Sequence, residues 1–241
     1  MDAMDERRQR YLKSYWESHL GLIERMIAPY RRDGCVVLDV GCGLGRNARR
    51  FAAGAARYIG LNVDREELAI ARRNNPEPRF EFLPGDAMDM WAIPDAGVDL
   101  ILLVFVMEHI AVPERLFQEI ARTLRPGGGA LLVVPNLWTG AALAIRSLPP
   151  GARQALKRLL RGSDEVTDYP TFYRCNTVPA LDNLAARFGL ERDRLEMRSG
   201  IGYFFRLPGF YAWHRFLDAV SSWGPLRRFK GFIFVTYRKA A

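Results

Sequence analysis

The chain has 241 residues, 49% of them hydrophobic, enough for one well-buried domain and short for two ordinary ones. Its three cysteines, Cys35, Cys42 and Cys175, are too few and scattered for a disulfide framework, and no metal-ligand spacing joins them to the three histidines, so a reducing cytoplasmic setting and no metal are expected. No signal-peptide core follows Met1 and no apolar run approaches the ~20 residues of a membrane span, so the chain is expected to be soluble or at most peripheral to a membrane.

Residues 5–30 carry Tyr11, Tyr15, Leu22, Met26 and Ile27 among charged neighbours and predict a helix, with Pro29 and Gly34 punctuating its end. A strand over 35–40, a helix over about 45–53, a strand over 57–61, a helix over 65–74 ended before Pro76 and a short strand over 79–83 follow. Residues 98–106 form a near-continuous apolar run, the pattern of a parallel strand buried on both faces. An amphipathic helix at 113–124 leads to a second such strand at 130–134. A helix at 177–188 and strands at 194–199 and 231–237 complete the series. Strands alternating with helices imply right-handed crossovers and an α/β, doubly wound, mostly parallel sheet, whose ligands bind beyond the carboxyl ends of the strands.

The most informative segment is Val36 to Arg46, an apolar strand running through Asp39 into glycines at 41, 43 and 45. Glycines there permit positive φ and let the backbone approach a ligand, as a nucleotide-type cofactor requires. A dinucleotide fingerprint would place glycine where Arg46 stands, and Asp39 would oppose a pyrophosphate while suiting a ligand with a cationic amine.

Three later segments accompany the loop Leu38-Asp39-Val40-Gly41-Cys42-Gly43-Leu44-Gly45: Gly60-Leu61-Asn62-Val63-Asp64, Pro84-Gly85-Asp86-Ala87-Met88, and Phe105-Val106-Met107-Glu108-His109-Ile110 with Leu124-Arg125-Pro126-Gly127-Gly128 and Val134-Pro135-Asn136 behind it. In this order, over about residues 35–136, they resemble the class I S-adenosylmethionine-dependent methyltransferases, and the fourth resembles their small-molecule, quinone-biosynthesis-type branch. The resemblance implies a Rossmann-like seven-stranded sheet, mostly parallel with an antiparallel last strand, plus helical cap insertions. It implies S-adenosyl-L-methionine as cofactor, S-adenosyl-L-homocysteine as product, and no metal. Asp39, Gly41, Cys42, Gly43 and Gly45 would hold the methionine part; Asn62 and Val63 would meet the ribose; Asp86 would accept from the adenine amine with Ala87 and Met88 flanking the ring; and Val104 would be a further cofactor-binding residue. The family usually has an acid at the position of Asn62. An amide forgoes a charge-assisted hydrogen bond, on the order of 1 kcal/mol, and Asp64 could take part of the role if the strand ends late. The base-methylating signature of Asn or Asp, two prolines and an aromatic is absent after strand four.

This organisation divides the chain into an N-terminal helical lid (1–34), a cofactor-binding core (35–136), a cap insertion (137–175), a core helix and strand (176–200), an aromatic cap insertion (201–229) and the last strand (230–241). Residues 1–139 carry 18 basic and 19 acidic side chains, whereas residues 140–241 carry 17 and 8, so the net +8 belongs to the later part. Basic residues around 151–161 and aromatics over 203–229 leave three uses open: an apolar substrate pocket, an anionic membrane surface, or stacked RNA bases, with nucleic acid the least favoured partner. His109 is the candidate general base, being the side-chain type that takes protons near neutrality, although it could equally cap the strand end. Tyr173 is a second catalytic candidate, Tyr11, Tyr173 and Arg174 are candidate substrate contacts, and His19 and His214 are further candidates. The expected activity is methyl transfer to an oxygen or nitrogen, in preference to a carbon, of a small or lipid-like molecule. The alternatives are an RNA or protein methyltransferase using the basic cap, and a non-catalytic cofactor-binding scaffold. Nothing in the sequence signals an oligomeric state.

Overall fold

Apolar runs bounded by glycine and proline become the central strands of a seven-stranded sheet, because helices cover both of their faces. The computed structural model describes residues 3–139, 149, 169–200, 219–220 and 223–241. The described elements are α1 (Ala3–Ile27), β1 (Val36–Val40), α2 (Ala48–Phe51), β2 (Arg57–Asn62), α3 (Arg65–Asn74), β3 (Phe80–Pro84), β4 (Val98–Val104), α4 (Pro113–Thr123), β5 (Leu124–Pro135), α5 (Val178–Arg187), β6 (Leu190–Arg198) and β7 (Phe232–Lys239), with 3-10 turns at Ala28–Tyr30, Met107–His109 and Gly224–Phe229. The sheet order is β3-β2-β1-β4-β5-β7-β6, and β7 alone runs antiparallel to its neighbours. The doubly wound α/β sheet with an antiparallel last strand is as expected.

Period-two alternation sorts the side chains into two cores. Val37, Tyr58, Phe80, Phe82, Leu100, Leu102, Leu131 and Val133 face α1, α2 and α3, while Leu38, Ile59, Leu61, Ile101, Leu103 and Leu132 face α4 and α5. In α4 the fully buried Leu116, Phe117 and Ile120 recur at helical spacing, each contributing roughly 2 kcal/mol through burial.

Four boundaries differ from expectation. The helix after the glycine loop is only Ala48–Phe51, and β4 stops at Val104 because Phe105 turns to a φ of +58°. β5 starts at Leu124, six residues before the apolar run. Val98 pairs with Leu124 but Leu100 pairs with Gly129, so Arg125 to Gly128 bulge within the strand, and the Arg125 guanidinium bonds Asp99 at 2.8 Å. A Pro-Gly-Gly-Gly run reads as a breaker, which hid this start. β6 starts at Leu190 rather than 194, since Glu191, Arg192, Asp193 and Arg194 form a charged edge strand that no apolar alternation reveals.

Residues 1–34, expected to act as a lid, are core in their second half. Leu22, Ile23, Met26, Ile27 and Tyr30 are buried on the sheet, and the Tyr30 hydroxyl donates to Asp193 at 2.8 Å. A Cβ on Gly129 would stand 2.5 Å from the Tyr30 ring, so this glycine in β5 sets how closely the end of α1 approaches the sheet. Gly129→Ala is expected to lower stability by about 1–3 kcal/mol through overpacking. Urea denaturation checks it, and an unchanged midpoint would show that Tyr30 moves aside freely.

Candidate active site

All the parallel strands end at one edge of the sheet, and each leads there into a segment with polar or irregular backbone. β1 runs into Gly41 to Gly45, β2 ends at Asn62, β3 is followed by Gly85 and Asp86, β4 by Phe105, and β5 by Asn136. β7 starts at the same edge, because Phe232 pairs with Pro135.

The glycine loop is held to β2 by two amides, Gly41 N–H and Cys42 N–H, which donate to the Leu61 carbonyl at 2.7 and 3.2 Å. Gly41 and Gly45 have φ of +72° and +66°, and each also lacks room: a Cβ would lie 2.5 Å from Val106 Cγ2 at Gly41 and 2.9 Å from Asn75 Nδ2 at Gly45. Gly43, at φ +51°, has the Glu67 carboxylate 3.8 Å from where its Cβ would be, an ordinary contact distance. The loop therefore has bare backbone beside a carboxylate. The Cys42 thiol, pushed well up by burial, packs where a Cβ on Gly60 would stand.

Asp39 is buried, and the Tyr58 hydroxyl donates to its Oδ2 at 2.5 Å. Burial pushes its pKa up to about 7, against the smaller opposing effect of that hydrogen bond. Glu108, in the turn after β4, is likewise pushed up to about 7 by burial, and its Oε2 has no hydrogen-bond partner among the described residues.

Asn62 is buried at the end of β2, and its Nδ2 donates to Glu67 Oε2 at 2.7 Å. Asp64, considered as a substitute ribose ligand, is instead the N-cap of α3: its Oδ1 accepts from Glu66 N and Glu67 N at 2.8 and 3.0 Å. β2 stops at Asn62, so residue 64 belongs to the helix start. Asp86 Oδ1 caps the next turn, accepting from Met88 N at 2.8 Å, with its other oxygen at the exposed edge. Ala87 is buried, Met88 half-buried and Val63 exposed.

Beyond β4 the half-buried His109 sets its Nδ1 2.9 Å from the Pro170 carbonyl. A carbonyl only accepts, so Nδ1 carries a proton, and a neutral ring would then have its lone pair at Nε2. Phe172 N and Tyr173 N donate to the Glu108 carbonyl at 2.7 and 3.2 Å, and the Tyr169 hydroxyl reaches Glu67 Oε2 at 3.5 Å. Residues 169–173 thus tie the end of β4 to α3 across the glycine loop. Beside them is an aromatic cluster: Phe105 lies 5.0 Å from Phe232 and 6.0 Å from Trp16 between ring centroids, and His19 is 5.9 Å from Phe232. Val104 is half-buried beneath it.

His109 and Tyr173 therefore meet at one edge with the glycine loop, Asn62 and Asp86. Arg174 is exposed and lines a different cleft, with Glu114, Asn183 and Arg187 between α4 and α5. Tyr11 lies in α1, its side chain outside the described set, and residues 140–148, 150–168 and 201–218, which hold most of both expected caps and His214, lie outside the described residues. Sequence reasoning passed over Glu67, Tyr58, Trp16 and Tyr169. Glu67 had a usable signal, since it precedes the buried Ala71 by four residues and so shares its helix face. Among the described residues no cluster of three metal-ligating side chains occurs, and no helix is long and apolar enough to cross a membrane.

Two expectations follow. Gly41→Ala should weaken cofactor binding at least about tenfold, because the strained φ and the Val106 contact would displace the loop by more than a hydrogen bond tolerates. Calorimetry with S-adenosylhomocysteine measures this, and wild-type affinity would refute it. Asp39 keeps its proton up to about pH 7 when folded but releases it near 3.8 when unfolded, so the folded state binds the extra proton and stability falls as pH rises from about 4 to about 7. Glu108 acts in the same direction. Asp39→Asn should flatten part of that decline in thermal melts, whereas an unaltered slope would mean the carboxyl is ionised throughout.

Comparison with known proteins agrees with this arrangement. A family model described as a methyltransferase domain matches residues 38–132. A methyltransferase of Mycobacteroides abscessus, named as uncharacterized, is 40% identical over 110 residues, 44% of this chain and 42% of that protein. A protein of Mycolicibacterium smegmatis, named as a probable S-adenosylmethionine-dependent methyltransferase, is 34% identical over 124 residues, 52% of this chain and 47% of that protein. The chain thus spans less than half the length of these relatives. The solved S-adenosylmethionine-dependent methyltransferase of Mesorhizobium loti superposes with a TM-score of 0.56 at 19% identity, covering 87% of this chain and 93% of that one, a likeness of fold alone. Residues 38–132 therefore match a methyltransferase domain, with the glycine loop, the strand-end residues and the sheet order in place around it.

Proposed function

We propose that this chain transfers the methyl group of S-adenosylmethionine to an oxygen or nitrogen, in preference to a carbon, of a small or lipid-like molecule. The observation that carries the reading is one shared edge: a bare-backbone loop with a carboxylate beside it, an imidazole with its Nε2 lone pair available, and an apolar aromatic wall. The cofactor supplies an electrophilic methyl carbon on a positively charged sulfur, an already activated leaving group.

The protein's part is then alignment, exclusion of water and removal of one proton. Gly41, Gly43 and Gly45 would pass backbone along the cofactor, Asn62 and Glu67 would meet its sugar, and Asp86 would offer its outer oxygen to the adenine amine. Asp39 would answer an ammonium, which would draw its carboxyl toward the ionised form. Trp16, Phe105 and Phe232 would suit an apolar, planar acceptor. His109, its Nδ1 proton committed to Pro170, would take the proton of a hydroxyl or ammonium at Nε2. Peripheral contact with anionic lipid is part of the same proposal, supported by Trp223, 79% exposed, with Arg227 and Arg228 in the turn that follows it.

Calorimetry with S-adenosylmethionine and S-adenosylhomocysteine tests the cofactor, and absence of binding by either would sink the reading. Once an acceptor is in hand, His109→Ala should lower kcat about a hundredfold while changing cofactor affinity little, as loss of a general base does. An unchanged kcat would make His109 a structural residue that holds Pro170. Flotation with anionic vesicles at low salt tests the lipid contact, and lack of co-flotation removes it.

A further inference from the structure

We propose that Glu67, on α3, supplies the sugar-binding carboxylate that the end of β2 lacks, and that Glu67 and Asn62 together hold the vicinal ribose hydroxyls of the cofactor. The inference rests on the reading of this edge as a S-adenosylmethionine site. A vicinal diol presents two O–H donors, and the group that answers both is a carboxylate, which only accepts. Among the described residues, Asp39, Asp64, Glu67, Asp86 and Glu108 lie at or just beyond the ends of β1 to β4, and Glu108 is buried in its turn. Asp39 is buried against the Tyr58 hydroxyl. Asp64 spends one oxygen on two amides of the α3 cap, and Asp86 shapes the turn after β3. Glu67 is the carboxylate that borders the loop itself, 3.8 Å from the Cβ position of Gly43, and that bonds the residue at the end of β2.

The bond between them also fixes the amide. Because a carboxylate cannot donate, the Asn62 atom 2.7 Å from Glu67 Oε2 must be the nitrogen, which leaves the carbonyl oxygen on the other side of the amide as an acceptor. The pair therefore offers a carboxylate and an amide carbonyl, both of them acceptors, as two neighbouring hydroxyls need. The geometry also explains how α3 can serve in place of the strand: Asp64 fixes its first turn, and Glu67 carries one more methylene than an aspartate, enough to reach back over the strand end. Tyr169 reaches the same carboxylate from the 169–173 segment, so the sugar site and the acceptor side share one residue.

The test uses the full chain, S-adenosylhomocysteine, and its 2′,3′-dideoxyribose analogue, which lacks both hydroxyls. Glu67→Gln should weaken S-adenosylhomocysteine binding about tenfold, the worth of one charge-assisted hydrogen bond, and should leave the weaker binding of the dideoxy analogue unchanged. Asn62→Asp with Glu67→Gln exchanges carboxylate and amide and should restore binding to within about threefold of wild type. Melting curves of each variant confirm that it is folded. Wild-type affinity in Glu67→Gln, or an equal loss for both ligands, would overturn the proposal by making Glu67 a prop for the loop. If the wild type binds neither ligand, the cofactor reading falls with it.

Discussion

Two amides sharing one carbonyl, Gly41 and Cys42 on Leu61, organise this site. They turn the chain sharply at the end of β1 and fix the loop to the neighbouring strand, so the groove inherits the rigidity of the sheet. That turn requires positive φ at Gly41, and Val106 closes the space where a side chain would be. Loop, strand end and the segment after β4 therefore constrain one another, and a change in any of them is felt at the others.

The electrostatics of the edge follow from what each carboxylate is bonded to. Asp64 is stabilised by helix amides and Glu67 by an amide side chain, and both remain at the surface of the groove. Asp39 and Glu108 are buried, and desolvation pushes both up to about 7. The site thus carries buried acids whose ionisation is costly in the folded chain, a cost that a bound cation would offset at Asp39.

Legibility in the sequence tracked how local the physics is. The helix Arg65–Asn74 matched expectation at both ends because its cap, Asp64, and its stop, Pro76, are neighbours in sequence. The glycine loop was legible for the same reason, its spacing encoding backbone conformation directly. β5 and β6 were misjudged at their starts because their extent depends on partners: Leu124 is a strand residue through Val98, and the charged Arg192 through Tyr237. The amphipathic pattern of α1 does not say which surface its second half covers, and that surface is the sheet.

The order of polar strand ends along the chain already implied a nucleotide-type cofactor and a parallel sheet, since glycine spacing and strand period are properties of contiguous residues. Which nitrogen of His109 faces a carbonyl and which aromatics cluster at this edge were not local matters. His109 meets Pro170 61 residues away, and Trp16 meets Phe105 from a distant part of the sequence. Those pairings arise when separate crossovers return to one sheet edge, and no window of sequence contains both partners.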